Sequence, residues 1–317
     1  MTAHDSADSH AADAGTSGAD ISDRLHRAAH AQSDGLLWLA VDAGAPESEP
    51  LPDSLQGLLD GDEVRTIRLQ HPGVDPSFQP QWVPLDTRTA KGSMALQDSI
   101  DRAVAELAVD ELKQGKGRRI GGWLALRADA GLAIRHWARQ MIQRRPGGGA
   151  ALLRLHDPAV LWALWALLSA EERSQLLGPV STWWLLDPQG ELAAFTSPAD
   201  GVRSTWTVRS WDDVDLVAPL NAALRECDKP MPLDQARRAA FDAMRRAREL
   251  GFGHVHDLSA FAIHAMTIHP MFDKHPAIAQ VLQSRQADDR YTALIEAVDE
   301  AAWERVRQEV RQENGLA

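Results

Sequence analysis

The sequence predicts an α/β N-terminal lobe, built as a mixed sheet flanked by helices, followed by an all-α C-terminal lobe. Up to about residue 210, short apolar runs typical of buried strands alternate with amphipathic helical stripes. From residue 211 onward, only helical stripes stand out. The length of 317 residues fits about two domains of ordinary size.

These patterns divide the chain into three segments. Residues 1–34 are predicted to form a disordered tail, with a possible short helix where Ile21 and Leu25 have helical spacing. Residues 35–210 form the predicted α/β domain, and residues 211–317 form the predicted helical lobe.

The first strands of the α/β domain can be placed from apolar runs, prolines and glycines. Residues 36–41 are apolar on both faces, which is typical of a strand in the middle of a covered sheet. The prolines of residues 71–84 predict a loop with at most an edge strand. Gly121 and Gly122 interrupt a strand over 120–126 and indicate a bulge or a close approach of another backbone.

A strand over residues 150–155 leads into the strongest helix start in the sequence. Asp157 is a good N-cap, and Pro158 is preferred at the first position of a helix. Gly178 and Pro179 end the next helix along the chain.

Two tryptophans follow in a predicted hairpin of residues 180–186 and 191–195. Trp183 and Trp184 are adjacent on a strand, so their side chains point to opposite faces of the sheet. If one face is open, one indole is exposed, and we take Trp184 as a candidate partner-binding residue. Burial under a helix is the alternative.

Composition and charge limit the classes of partner and the compartment. The net charge of −12 disfavours nucleic acid as a partner. Cys227 is the only cysteine, which excludes an intrachain disulfide and fits a reducing cytosol. The N-terminus does not resemble a signal peptide, and the longest apolar stretch, residues 159–168, is too short to cross a bilayer. We therefore expect a cytoplasmic protein without membrane insertion.

The sequence contains none of the common catalytic motifs. It has no GxGxxG after a strand, no Walker-type phosphate loop, no GxSxG elbow and no HExxH. We therefore predict no enzymatic activity, no catalytic residues and no cofactor.

One histidine-rich segment leaves an alternative open. Imidazole and carboxylate groups are good ligands for zinc or iron, and a metal-dependent hydrolase would use them. Their spacing matches no metal motif, so we interpret them as surface and helix-capping residues and predict no metal site. The residues concerned are His254, His256, Asp257, His264, His269 and His275.

A second candidate is a row of arginines along one predicted helix. It is either a solvated face or, in a chain of negative net charge, a docking surface for an acidic partner. The arginines are Arg237, Arg238, Arg245, Arg246 and Arg248.

The segment LLRLHDPAVLWALWALLSAEERSQLLGPV, residues 152–180, resembles the signature of the DUF4123 family. In that signature a strand ends in an Arg-x-x-Asp-Pro pattern, an apolar helix follows, and a Leu-Gly-Pro turn leads into the next strand. The resemblance extends over roughly residues 36–195. The matching positions, for which we favour structural roles, are Arg154, Asp157, Pro158, Gly178 and Pro179.

The resemblance implies a function. Members of the family are adaptor chaperones of type VI secretion systems, which bind a secreted effector protein, often near its N-terminal region, and assist its attachment to the VgrG spike protein. They are not known as catalysts, and no catalytic residue carries over. The alternatives are an immunity protein that blocks a toxin and the metal-dependent hydrolase that would use residues 254–275.

Overall fold

The structure is a computed structural model that describes residues 17–45, 50–75, 79–108, 110, 112, 117–197, 206–227 and 231–313. Of the predicted tail, residues 1–16 lie outside the described residues. Residues 18–30 form the short helix that the sequence suggested, and its apolar face is buried.

The elements up to residue 196 include both helices and strands. In chain order they are α1 (Gly18–His30), β1 (Leu36–Val41), α2 (Asp53–Leu59), β2 (Arg65–Thr66), β3 (Gln81–Asp86), α3 (Ala90–Ala105), β4 (Ile120–Leu126), α4 (Ala130–Met141), β5 (Ile142–Arg144), β6 (Ala150–Leu152), α5 (Pro158–Trp165), α6 (Ala170–Leu177), β7 (Val180–Leu186) and β8 (Leu192–Thr196).

The described residues after 205 form helices. In chain order these are α7 (Trp211–Val214), α8 (Val217–Glu226), α9 (Leu233–Glu249), α10 (Val255–Thr267), a 3₁₀ turn (Phe272–Lys274), α11 (Pro276–Gln283), α12 (Tyr291–Glu296) and α13 (Glu300–Glu313). The predicted combination of an α/β region and a helical C-terminal region is confirmed. No helix within the described ranges has both the length and the apolar character needed to cross a membrane.

The main sheet has the strand order β2-β3-β1-β4-β7-β8, and each of these neighbouring pairs is antiparallel. The sheet is therefore antiparallel rather than mixed. The expectation of a mixed sheet came from strands that are apolar on both faces, a pattern common in parallel sheets. Here helices cover both faces, so antiparallel strands are also apolar throughout.

Each face of the sheet has its own apolar core. On one face, α1, α2 and α3 bury side chains such as Leu25 and Leu96. On the other face, α4, α5 and α6 share one continuous core with the C-terminal helices, from Trp137 through Phe261 to Val306. The helical region thus continues the core on this face of the sheet.

Strand β3 occupies a more central position than the sequence suggested. It pairs with β1 along its whole length, from Gln81 to Asp86. On its other side, β2 pairs only with Gln81 and Trp82. Pro84 therefore lies beyond the end of β2, where a missing N–H interrupts no pairing with that strand.

Strand β6 is shorter than predicted and lies outside the main sheet. Residues 150–152 pair with residues 142–144 as a separate two-stranded sheet at the end of α4. The turn between them contains three glycines with positive φ, Gly147–Gly149. This tight turn reverses the direction of the chain, so β6 pairs with β5, the strand just before it in sequence.

Gly121 and Gly122 have the role that the sequence predicted. The register between β1 and β4 shifts between Ala40 and Val41, as in a bulge. A Cβ atom on Gly122, whose φ is +119°, would lie 2.2 Å from the carbonyl oxygen of Trp184. The backbones of β4 and β7 approach each other so closely there that only glycine fits.

Candidate functional site

Two adjoining cavities lie between the α/β region and the helical region. Their volumes are about 470 and 510 Å³, within the range of ligand pockets. The first lies among α5, α8 and α9, and the second reaches α10. Because Arg154, Val160 and Ala218 line both cavities, we treat the two as one groove, the interlobe groove.

Residues 152–158, the first part of the segment that resembles the DUF4123 signature, form one wall of this groove. Asp157 caps α5 by accepting a hydrogen bond from the backbone N–H of Ala159 at 3.0 Å, and Pro158 occupies the first turn. Arg154 donates from Nη2 to Oδ2 of Asp42 at 2.8 Å. Its side chain remains 47% exposed, so it holds the ion pair and still faces the groove.

Asp42 is the buried centre of this wall. Its carboxylate accepts hydrogen bonds from the backbone N–H of Gly44 at 2.9 Å and from Arg154, and Nε2 of His156 lies 3.1 Å away. Burial alone would raise the pKa of Asp42, but the hydrogen bond and charge of His156, with Arg154 and Gly44, lower it to about 2. The carboxylate is therefore ionised at neutral pH and fixes the conformation of Arg154.

This pKa predicts a pH-dependent contribution of Asp42 to stability. Because the folded pKa is lowered from 3.8 to about 2, Asp42→Asn should cost about 2 kcal/mol in the free energy of unfolding at neutral pH. Ionisation of Asp42 contributes this stability above the unfolded pKa, and the contribution is lost as the pH falls through the folded value. Urea unfolding of both proteins from pH 7 down to about pH 2 checks this. A difference that stays constant over that range would contradict the assignment.

Gly121 and Gly178 allow close contacts between residues 152–180 and the elements around them. A Cβ on Gly121 would lie 2.5 Å from the carbonyl oxygen of His156. Gly178 has a φ of +52°, and its Cβ would lie 2.5 Å from the ring of His136. The carbonyl of Pro179 accepts a hydrogen bond from Arg127 at 2.9 Å. Gly178 and Pro179 thus shape the turn between α6 and β7.

Two arginines that the sequence did not single out also line the groove. Arg118 is buried; its Nη1 donates to the carbonyl of Leu186 at 2.9 Å, while its Nε has no hydrogen-bond partner among the described residues. Arg225 donates to the carbonyls of Asn221 at 3.1 Å and Leu112 at 3.2 Å. Residue type and spacing gave no signal for this pair, because the chain separates them by more than a hundred residues.

Asp42 and His156 were also missed by sequence reasoning. His156 lies inside the quoted segment, and Asp42 directly follows the apolar strand β1. A polar residue at the end of a buried strand is a usable signal, but its partner could not be inferred.

The candidate arginine face on α9 is largely engaged within the chain. Arg237 contacts Asp234 at 2.6 Å and lies 4.6 Å from the ring centre of Trp162. Arg245 bridges Asp213 at 3.0 Å and Asp242 at 3.3 Å. Charge reversal at Arg237 or Arg245 would break these contacts as well as any partner contact.

The remaining arginines of α9 are in three different environments. Arg246 forms an ion pair with the buried Asp273 at 2.9 Å, and Arg248 donates to the carbonyl of Asp212. Arg238 is exposed. Docking of a partner on this face stays a prediction. Arg238 and Arg245 are its exposed members, and Arg238 forms no ion pair within the described residues.

Trp183 and Trp184 point to opposite faces, as β geometry requires. Trp183 is fully buried against Trp82 and Trp137. Trp184 is partly buried and packs against the core beneath α1 and α3. Because helices cover this face, Trp184 is much less available to a partner than an open sheet would make it.

The histidines of residues 254–275 are dispersed. His254 and His275 cap α10 and α11, and His269 accepts a hydrogen bond from the N–H of Met271. Burial lowers the pKa of His264 to about 4, and its Nδ1 contacts the hydroxyl of Tyr291. Within the described ranges, no three His, Cys, Asp or Glu side chains are grouped as a metal site would require.

Comparison with known proteins gives one match, to a family model. No curated protein and no solved structure matches it. Residues 77–175 match the family model DUF4123, a domain of unknown function. The match includes Arg154, Asp157 and Pro158, but it is shorter than the resemblance over 36–195 and ends before Gly178. Residues 77–175 are therefore similar to the DUF4123 family, as the resemblance of residues 152–180 predicted.

Proposed function

We propose that this protein is a cytoplasmic adaptor chaperone that binds a secreted effector of a type VI secretion system and promotes its loading onto the VgrG spike. It acts by reversible binding, without catalysis and without a cofactor. The match of residues 77–175 to the DUF4123 family supports this proposal through the role that the resemblance implies.

The observation that carries the proposal is the position of the interlobe groove. One wall is the DUF4123 segment around Arg154 and Val160, and the opposite wall is formed by α8 and α9. A loading chaperone must hold an apolar segment and then release it. Apolar walls with a charged rim suit this task, because contact can be extensive without burying unpaired charge.

The two walls have separate origins in the chain. One belongs to the matched domain, and the other lies in the helices after residue 216. Substitutions in the helical wall can therefore change which effector is bound, while the wall formed by the matched domain stays the same. We expect effector choice to follow the helical wall when the helical regions of two related adaptors are exchanged.

Co-expression with candidate effector toxins of a type VI secretion system tests the proposal. We expect one toxin to co-purify through its delivery region, often its N-terminal part, and not through its toxic domain. Binding of the toxic domain together with loss of toxicity would instead indicate an immunity protein. If no toxin binds, the adaptor function is wrong.

A variant that fills the interlobe groove tests whether the effector binds there. Ala218 is exposed on α8 and lines both cavities, so Ala218→Trp should fill the groove and leave the core intact. We expect effector affinity to fall by roughly tenfold or more, about 1.4 kcal/mol. Ala301→Trp, at an exposed alanine of α13 outside the groove, is the matched control. Equal affinities of the two variants would mean that the effector binds elsewhere.

A further inference from the structure

We propose that the cavity among α5, α8 and α9 binds an acidic, apolar peptide segment of the effector, with a carboxylate of that segment held between Arg118 and Arg225. The inference rests on the proposed function for the identity of the partner. The chemistry of the peptide follows from the charges and apolar groups of this cavity.

Positively charged side chains outnumber negatively charged ones in the lining of this cavity. Three arginines face a single aspartate, Asp157. Asp157 already caps α5, and Arg154 is paired with Asp42. Arg118 and Arg225 therefore remain as guanidinium groups without a carboxylate contact in the described part of the chain.

Arg118 gives the stronger indication of a ligand. It is 6% exposed, and its Nε has no hydrogen-bond partner among the described residues. A buried guanidinium is costly unless its N–H groups are satisfied. Burial lowers the pKa of Arg118, and the nearby charges of Asp157, Asp187 and Glu106 act in the opposite direction. None of these carboxylates forms an ion pair with Arg118 in the described part of the chain.

These three carboxylates are committed elsewhere. Asp187 accepts the N–H groups of Gln189 and Glu191 in the β7–β8 turn. Glu106 pairs with Arg102 at 2.8 Å and accepts the N–H of Ile120. They offset part of the positive charge of Arg118 but leave its Nε without an acceptor among the described residues.

Arg225 places a second positive charge near the first. It is half-buried, and among the described residues it donates to the two backbone carbonyls alone. Burial is the main cause that lowers the pKa of Arg118; Asp157, Asp187 and Glu106 act against it, and the positive charge of Arg225 acts in the same direction as burial. A carboxylate that enters between them would relieve this repulsion and accept charge-assisted hydrogen bonds.

The rest of the cavity selects for apolar neighbours of that carboxylate. Its apolar lining includes Leu107, Leu112, Val160, Leu224, Met231 and Leu233. The chain as a whole has a net charge of −12, which disfavours acidic partners on average, whereas the excess of arginines in this cavity attracts them locally. Acidic residues flanked by Leu, Met or aromatic side chains therefore fit the cavity best.

Selection from a displayed library of random peptides on the full-length protein tests the inference. We expect the enriched peptides to contain Asp or Glu next to large apolar residues. One enriched peptide is then measured by fluorescence anisotropy against the wild type and two variants. Arg225→Gln should weaken its binding roughly tenfold or more, whereas Arg225→Lys should retain most of it because the charge is kept.

Arg27→Gln, on the exposed side of α1, controls for the loss of any arginine and should bind as the wild type does. Replacing the acidic residue of the peptide by its amide should reproduce the loss caused by Arg225→Gln. Enrichment of peptides without acidic residues, absence of enrichment, or equal binding by Arg225→Gln and Arg225→Lys would overturn the inference.

These outcomes separate the inference from the function on which it rests. If a toxin co-purifies but acidic peptides are not enriched, the adaptor function stands and the inference is wrong. If acidic peptides bind through Arg225 but no toxin does, the cavity has the proposed chemistry and the adaptor function is wrong.

Discussion

Gly122→Ala is expected to lower the free energy of unfolding by more than about 3 kcal/mol, because backbone strain and steric overlap add at this position. The φ of +119° is rare for any residue with a Cβ. The added Cβ would also lie 2.2 Å from the carbonyl oxygen of Trp184 and 2.8 Å from Nε1 of Trp183. The carbonyl belongs to the backbone of β7, which pairs with β4, and the indole of Trp183 is fully buried, so neither can move aside without disrupting the sheet or its core.

Urea unfolding measures this loss, and Gly147→Ala is the matched control. Gly147 also has a positive φ, +85°, but nothing lies within 4 Å of a Cβ built there. This control should therefore cost only the backbone term, about 1–2 kcal/mol. Equal losses for the two variants would show that the close approach of β4 and β7 contributes nothing to the requirement for glycine.

Trp183→Ala is expected to cost about 3–5 kcal/mol in the free energy of unfolding, the range for truncating a buried aromatic side chain. Its indole is fully buried, with ring centres 4.3 Å from Trp137 and 6.0 Å from Trp82. Its Nε1 also donates to the carbonyl of Gly121 at 3.0 Å. Truncation would therefore create a cavity between the sheet and α4 and leave a buried carbonyl without this donor.

Trp184→Ala is the natural comparison, since the two residues are adjacent on one strand. Trp184 is only partly buried, so we expect less than half the loss caused by Trp183→Ala. Chemical denaturation of both variants gives the stability difference. Effector affinity of Trp184→Ala, measured below the unfolding transition, tests its candidate role as a partner-binding residue. A larger loss of stability for Trp184→Ala would contradict the assignment of faces.

Much of the fold could be predicted from local patterns. Residues 36–41 and 120–126 are strands with the predicted bounds, and Asp157 with Pro158 begins a helix. Such signals depend on neighbours in sequence, through side-chain periodicity, capping and the fixed φ of proline. The antiparallel pairing was not predictable in this way, because helices cover both faces and remove the alternation that distinguishes the two sheet types.

The candidate site was predictable only in part. The segment around Arg154 was identified from its pattern, whereas its ion-pair partner Asp42 lies 112 residues earlier in the chain. Arg118 and Arg225 line the same cavity although they are far apart in the chain, because α8 packs across the segment that follows α3. Conversely, the arginines of α9 have periodic spacing, but the acids that engage them, such as Asp213 and Asp273, come from other elements.

The sequence by itself determined the order of elements, the start of the helix at Asp157, the need for glycine at Gly122 and the resemblance to the DUF4123 family. Only the tertiary structure decided which charges are neutralised within the chain and which face the interlobe groove. Capping and periodicity act over a few residues. Ion pairing and burial depend on distances in space, which packing of the helices onto the sheet sets.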